Sequence, residues 1–499
     1  MQPHRDRRFV PTIALCASVG VAGWLAPEQL GVHAIAVVSA VIERLDWAFM
    51  ASAGLLVLLC GWLAVGRHGR RRLGAADQPP EFTTFAWISM LFAAGMGSGL
   101  MFWGVAEPII HHAKPPLGEG STPGSARLAL AITDIHWGVH AWAIYGMAAL
   151  VLAWFHFCRG TDYLPGAPIR TVMRGPVARA LAHAADLIGA LAIAFGVAGS
   201  IGMGVLQIRG GLAAVWGTPA DSPAVAIAVL SVMTVAYTAS AASRIERGIK
   251  WLSTINVALA IVFVVAVALL GPTAEVVDAL ARSLVDYVTE IVPLSTMSGP
   301  WAQQRTWLHE WTIGYLVWWI AWAPFVGVFV ARISRGRTIR EFVIAVVLVP
   351  TTFSVLWFAV LGGTAIAIDD GSIARVATAD PALALFAMLQ RLPGAELLGA
   401  LAIALVMLFL VTSVDSAAYV LGMITSGGAA DPPRGRKLAW GIVLGVLGGA
   451  LVFTAHIDVV RAVAIIGAIP FTLVLLLQTA ALLIALGRGD EPTPPTEQA

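Results

Sequence analysis

Charge is what this sequence has least of. Only 12% of its 499 residues are Asp, Glu, Lys or Arg, about half the roughly 25% of a typical soluble domain. A soluble chain of this length would divide into domains with polar surfaces. An ordinary soluble enzyme, a disordered chain and a nucleic-acid-binding surface are therefore excluded. Cysteine is nearly missing as well. Cys16, Cys60 and Cys158 are too few and too scattered for a disulfide framework or a Cys-rich metal site, and they read as small buried hydrophobes. No small-residue cleavage site follows the basic segment Met1 to Arg8, so the apolar run after it reads as a first membrane span. No nucleotide motif and no convergent acid, base and nucleophile are visible, so neither enzymatic activity nor an organic cofactor is expected.

What the chain has is apolar length: 58% of it is hydrophobic. A spanning helix needs about 20 mostly apolar residues. Such runs lie near 9–26, 46–66, 84–110, 127–157, 181–208 and 223–243, then near 250–270, 308–332, 341–367, 393–425, 438–455 and 460–486. The fold class is therefore an all-α polytopic membrane protein with about twelve transmembrane helices. The runs at 84–110, 127–157, 181–208 and 393–425 exceed the minimum and predict tilted or interrupted helices. With the N-terminus inside, about 22 of the 31 Lys and Arg fall on inner segments, as the positive-inside rule requires. Both termini are then expected in the cytoplasm of a cell (inner or plasma) membrane, with lipid around the bundle. The segment from Pro272 to Arg305 carries Glu275, Asp278, Asp286 and Glu290 and falls outside. Its apolar positions Val276, Leu280 and Leu284 have the spacing of a surface helix.

Three stretches point to chemistry. In the third span Gly95, Gly97 and Gly99 alternate, and each weakens a helix by about 1 kcal/mol. Close packing through small residues is one reading. A broken helix whose freed carbonyls face a cavity is the other. Next, six of the eighteen Trp lie between Trp301 and Trp322. Trp311, Tyr315, Trp318 and Trp322 share a helical arc bordered by Trp319, and Trp137, Trp142 and Tyr145 share a face of the fourth span. Interface anchoring accounts for aromatics near span ends, but Trp318, Trp319 and Trp322 fall near mid-membrane. Converging Trp and Tyr faces there make a site for a quaternary ammonium held by cation–π attraction, at about 2 kcal/mol per desolvated contact. Third, the tenth span carries Thr412-Ser413, then Asp415 and Ser416. These hydroxyls either bond back to their own helix or offer oxygens to a hard cation such as sodium.

The segments Gly95-Met-Gly-Ser-Gly-Leu-Met-Phe-Trp-Gly-Val-Ala-Glu-Pro108, His136-Trp-Gly-Val-His-Ala-Trp-Ala-Ile-Tyr145 and Trp318-Trp-Ile-Ala-Trp-Ala-Pro-Phe-Val-Gly327, the last running on to Phe342, resemble signatures of the betaine/carnitine/choline transporters. The resemblance covers spans 3 to 12. It implies a LeuT-like fold with inverted repeats of spans 3–7 and 8–12, a homotrimer, and substrate bound midway across the membrane. The chain then divides into a cytoplasmic N-terminus with two peripheral helices (1–80), a first repeat (81–273), a surface helix (274–306), a second repeat (307–487) and a short tail (488–499). By motif position the family's aromatic box falls on Trp137, Trp142, Tyr145, Trp319 and Trp322, with Trp318 beside it. The family's sodium site falls on Ala93, Met96 and Phe409 through their carbonyls and on Thr412 and Ser413 through their hydroxyls. Sodium, as coupling ion, is the only metal implied.

The sequence also departs from the family pattern. Sodium-coupled members carry two hydroxyls in the fifth span before the stretch matching Ser200-Ile-Gly-Met-Gly204, and here those positions hold Ile193 and Val197. One coupled sodium is therefore expected. Asp134 stands one turn before Trp137 where an apolar residue is usual, and an intramembrane carboxylate is a candidate contact for the substrate's cationic end. Gly99 stands where proton-coupled choline carriers have Asp, which favours sodium. The expected function is sodium-coupled import of a small onium compatible solute, glycine betaine first. Rival readings are a sodium-independent exchanger of the carnitine type, a proton-coupled choline carrier and, more distantly, a non-transporting sensor or channel.

Overall fold

A computed structural model describes residues 9–95, 97–242, 246–453 and 457–488. The expectations for the N-terminal segment and for the tail after Arg488 lie outside them. Among the described residues the chain is helical without a strand. In order the helices are α1 (Phe9–Leu25), α2 (Pro27–Val65), α3 (Thr84–Gly95), α4 (Ser98–Ala113), α5 (Pro123–Trp137), α6 (Val139–Arg159), α7 (Ala167–Val172), α8 (Pro176–Trp216), α9 (Pro223–Ala242) and α10 (Glu246–Leu270). There follow α11 (Thr273–Ser295), α12 (Arg305–Leu308), α13 (Gly314–Arg332), α14 (Ile339–Ile368), α15 (Ser372–Ala379), α16 (Ala384–Leu389), α17 (Ala395–Ile424), α18 (Arg434–Val452) and α19 (Ile457–Gly487).

Nine helical stretches among the described residues are long and apolar enough to cross a membrane. The short α1, the broken pair α3/α4 and α10 bring the runs to the twelve the sequence predicts. Helix α11 turns away from α10 by 114°, and its Arg282 pairs with Asp278 in the open at 2.6 Å, as suits a surface helix.

One boundary differs from expectation. The second span begins at Pro27, not near 46, and forms a 39-residue helix. The charged stretch around Glu43 and Arg44 interrupts the apolar run in sequence, yet Ala34, Val38 and Ile42 continue one buried face. Buried Asp46 is satisfied by Arg305 at 2.6 Å and His309 at 2.9 Å. The interruption predicted for the long fourth span lies at Gly138, between α5 and α6. There a Cβ would come within 2.4 Å of both the Asp134 carbonyl oxygen and the Tyr287 hydroxyl. The freed Val139 N–H donates to that hydroxyl at 2.8 Å. By contrast α8 and α17 run unbroken.

The arginine-rich loop between α13 and α14 is a structural joint. Thr338 and Glu341 form the reciprocal cap that their spacing predicts, with Glu341 N–H on Thr338 Oγ1 at 3.2 Å and Thr338 N–H on Glu341 Oε2 at 2.9 Å. Arg340 donates to the Ala64 carbonyl at the end of α2 at 2.7 Å. Arg337 is buried, with its guanidinium 4.5 Å from the centre of the Trp87 ring. Gly336 holds φ +77, and a Cβ there would meet the Pro79 carbonyl oxygen at 2.2 Å. Thr338→Ala is expected to destabilise the chain by about 1 kcal/mol through loss of the cap, read as a lowered thermal midpoint in detergent. On the opposite face, beyond α14, hydrogen bonds from Ser372 and Arg391 hold the Asp370 carboxyl down at about 2.

Candidate functional site

The aromatic residues singled out in sequence meet where α5 and α6 pack on α13. The centre is Trp319. Its ring lies 4.8 Å from Trp137 at 69° and 6.0 Å from Tyr145 at 77°. Trp142 joins edge-on through Tyr145 at 5.5 Å, and Trp318 stacks parallel to Trp319 at 6.0 Å. Edge-to-face contacts of this kind suit the ring quadrupole, and Trp and Tyr faces are the groups that attract a cation. Hydrogen bonds set the ring planes: Trp319 Nε1 donates to the His136 carbonyl at 2.8 Å, and Trp137 Nε1 to Glu107 Oε2 at 2.8 Å. Trp322 sits apart from these rings. It is half-buried, meets Phe325 at 5.6 Å and lies against Gly196, where a Cβ would be 3.3 Å from Trp322 Cδ1.

The glycine-rich stretch does break its helix. Helix α3 ends at Gly95, Gly97 is extended with φ −105 and ψ 173, and α4 starts at Ser98. The broken-helix and close-packing readings both have a basis here, because a Cβ on Gly99 would sit 3.0 Å from Trp137 Cη2. The break thus abuts the box.

The expected sodium ligands are only partly in view. Met96 lies outside the described residues, while Ala93 and Gly95 belong to the backbone of α3. Thr412 and Ser413 are half-buried on α17. The Thr412 hydroxyl donates to the carbonyls of Leu408 at 2.9 Å and Phe409 at 3.1 Å, the back-bonded arrangement anticipated as one alternative. That bond uses the proton and leaves oxygen lone pairs. Asp415 accepts from Ser240 at 2.7 Å. Ile193 and Val197 are fully buried in α8 and present no hydroxyl.

Asp134 is fully buried, but its carboxylate faces α11, where Oδ2 accepts from Ser283 at 2.8 Å. The structure thus gives it a partner in the surface helix, and no hydrogen bond among the described residues joins it to the box.

Sequence reasoning passed over Glu107, around which the site is built. Its buried carboxylate accepts from Trp137 Nε1, from the Tyr315 hydroxyl at 2.5 Å and from His136 Nδ1 at 2.6 Å. His136 Nε2 meets Thr312 Oγ1 at 2.9 Å. The signal was available, since Glu107 is the one acidic residue of α4 and an ionisable group inside a span is functional by default. Arg461 of α19 was missed as well. Its guanidinium lies 5.0 Å from the Trp311 ring centre, 5.5 Å from Trp103 and 5.8 Å from Tyr315.

A family model described as the betaine/carnitine/choline family transporters matches residues 8–491. The chain is 36% identical over 492 residues to a glycine betaine transporter of Bacillus subtilis, covering 98% of this chain and 96% of that protein. It is 36% identical over 476 residues to an ectoine/hydroxyectoine transporter of Virgibacillus pantothenticus, covering 94% of each. A glycine betaine transporter of Vibrio parahaemolyticus is 37% identical over 458 residues, covering 89% of this chain and 86% of that protein.

Proposed function

Because the chain belongs to the betaine/carnitine/choline transporter family and is a multi-pass membrane transporter, we propose that it imports a small methylated onium solute, glycine betaine first, by sodium symport. The observation that carries the substrate class is the ring cluster of Trp137, Tyr145 and Trp319. A methylated onium spreads its charge over groups that donate no strong hydrogen bond, so ring faces suit it better than a carboxylate does. The carboxylate nearest the box, Glu107, is already engaged by three donors. Next to Tyr315, one turn before Trp319 on α13, the protein holds a cation of its own by the same physics, the Arg461 guanidinium near the Trp103, Trp311 and Tyr315 rings.

In this reading sodium binds between the α3/α4 break and α17, on carbonyls of Ala93, Met96 and Phe409 and hydroxyls of Thr412 and Ser413. It orders the break, substrate completes the box, and rocking of the bundle exposes both to the cytoplasm. Downhill sodium entry drives uptake, and no covalent chemistry is involved. The apolar Ile193 and Val197 support one sodium per cycle. Both termini in the cytoplasm and a trimeric assembly belong to the same proposal.

The test is uptake of labelled betaine, choline, carnitine, ectoine and a sulfonium analogue into proteoliposomes, with sodium or potassium outside. Sodium-dependent betaine accumulation is expected. Equal uptake in potassium would favour the exchanger, and absence of counterflow would favour a sensor. Thr412→Val with Ser413→Ala is expected to raise the half-saturating sodium concentration at least ~10-fold, equivalent to about 1.4 kcal/mol. Sodium titrations of uptake check this, and an unchanged midpoint would remove these hydroxyls from the ion site.

A further inference from the structure

Behind the aromatic box lies a polar group of a different kind. Glu107 and His111 are one turn apart on α4, and His136 of α5 faces them. One carboxylate oxygen and one nitrogen from each ring all lie within 4.8 Å of one another, and all three side chains are buried. His136 Nδ1 is 2.6 Å from Glu107 Oε1, and His111 Nε2 is 3.7 Å from the same oxygen. The second observation is independent of this proximity. His111 is completely buried, yet among the described residues neither of its ring nitrogens has a partner within hydrogen-bond distance. Two unmatched polar atoms in an apolar interior cost about 1–3 kcal/mol each. The ring is instead wedged between aromatics, 4.4 Å from Trp311 and 5.2 Å from Trp307.

We propose that Glu107, His111 and His136 form a binding site for a zinc-like divalent transition metal, separate from the sodium site. Two imidazoles and one carboxylate suit zinc and nickel, whereas calcium and magnesium prefer all-oxygen shells. Tetrahedral zinc with bonds of about 2.1 Å places its donors about 3.4 Å apart. The two Glu107–histidine separations bracket that value, and the two ring nitrogens lie within 4.8 Å of each other. The supporting shell is already in place. Glu107 Oε2 is held by Trp137 and Tyr315, and Oε1, paired with His136 Nδ1, turns to the metal together with that nitrogen. His136 Nδ1 ligates when the neutral ring carries its proton on Nε2 and donates it to Thr312. Water or a solute supplies the fourth ligand. Access runs past Trp311, which lines a cavity of about 540 Å³ together with Trp103, Asp380, Asp458 and Arg461.

Such a metal places two positive charges next to the carboxylate that orients Trp137, and so opposes a cationic solute in the box. That consequence rests on the proposed substrate class, whereas metal binding does not. The test uses the full chain purified without a polyhistidine tag. Zinc is expected to bind at one per chain in competition with a chromophoric chelator, and cobalt to give the intense visible bands of a four-coordinate nitrogen-containing site. His111→Phe, which keeps an aromatic ring between Trp307 and Trp311, is expected to abolish both. His309→Gln, which alters the separate histidine paired with Asp46, is expected to change neither. Absence of stoichiometric zinc, or zinc lost in His309→Gln but retained in His111→Phe, overturns the site. Should His111→Phe fail to fold, the cobalt spectrum of the native chain decides, since an oxygen-only six-coordinate site absorbs weakly. If zinc binds and betaine uptake is unaffected, the site stands and the electrostatic link to the box falls.

Discussion

Glu107→Ala is expected to reduce betaine uptake to background, while Glu107→Gln retains a substantial part of it. Alanine leaves the Trp137 N–H, the Tyr315 hydroxyl and His136 Nδ1 without their common acceptor in a buried site. Hydrogen bonds to a charged group are worth about 1.5–3 kcal/mol each, and removing one partner of a buried charged pair costs about 3–5 kcal/mol. Even 3 kcal/mol expressed in substrate affinity is a loss of roughly 100-fold. Glutamine has one acceptor oxygen, which can stay on Trp137 and Tyr315. Its NH₂ then faces His136 Nδ1, and the imidazole answers by carrying its proton on Nε2, where Thr312 Oγ1 accepts it. The network survives by a change of tautomer at no loss of bonds. Uptake kinetics and thermal midpoints of both variants in proteoliposomes check this. A Gln variant as inactive as the Ala variant would show that the negative charge itself, not the hydrogen-bond geometry, is what transport requires.

How much of this was legible beforehand depends on the kind of signal. Span count followed from apolar length alone, and the break between α3 and α4 from three alternate glycines, each of which weakens a helix. The Thr338–Glu341 cap was readable because capping is local, a matter of two side chains three residues apart. The box was readable because Trp is rarely spent in mid-membrane without use. What was not legible depended on which way a side chain turns across an interface. Asp134 is one turn from Trp137, but its carboxylate turns to Ser283 of α11, a helix 149 residues on. Whether a carboxylate at that register faces the box or the surface helix depends on how α11 packs against α5, which spacing within α5 does not reveal. Glu107 was hidden for the opposite reason. It sits inside a family motif and looks like part of a pattern, while its partners come from α5 and α13, 29 to 208 residues away. Arg461 likewise reads as a helix-end charge until α19 is seen beside Trp103 and Trp311.

Trp319→Ala and Trp322→Ala are expected to fail in different ways, and the contrast tests the box directly. Trp319 is locked among Trp137, Tyr145, Trp318 and Tyr315 and donates to the His136 carbonyl. Truncating a buried Trp costs about 3–5 kcal/mol in packing, and here it also frees the neighbouring rings to collapse into the space. Trp319→Ala should therefore lose both thermal stability and all measurable uptake, with Trp319→Phe restoring stability before transport. Among the described residues Trp322 has one ring neighbour, Phe325, and it is half-buried. Its removal leaves the other rings where they are, so the loss falls on the substrate contact. A desolvated cation–π contact of about 2 kcal/mol corresponds to roughly a 30-fold weaker apparent affinity. The thermal midpoint should stay nearly unchanged, and Trp322→Tyr should recover part of the affinity. Equilibrium binding of betaine to purified variants, measured beside their melting curves, separates the two outcomes. A Trp322→Ala chain that binds betaine as tightly as the native one would remove this ring from the site and leave the cation to Trp137, Tyr145 and Trp319 alone.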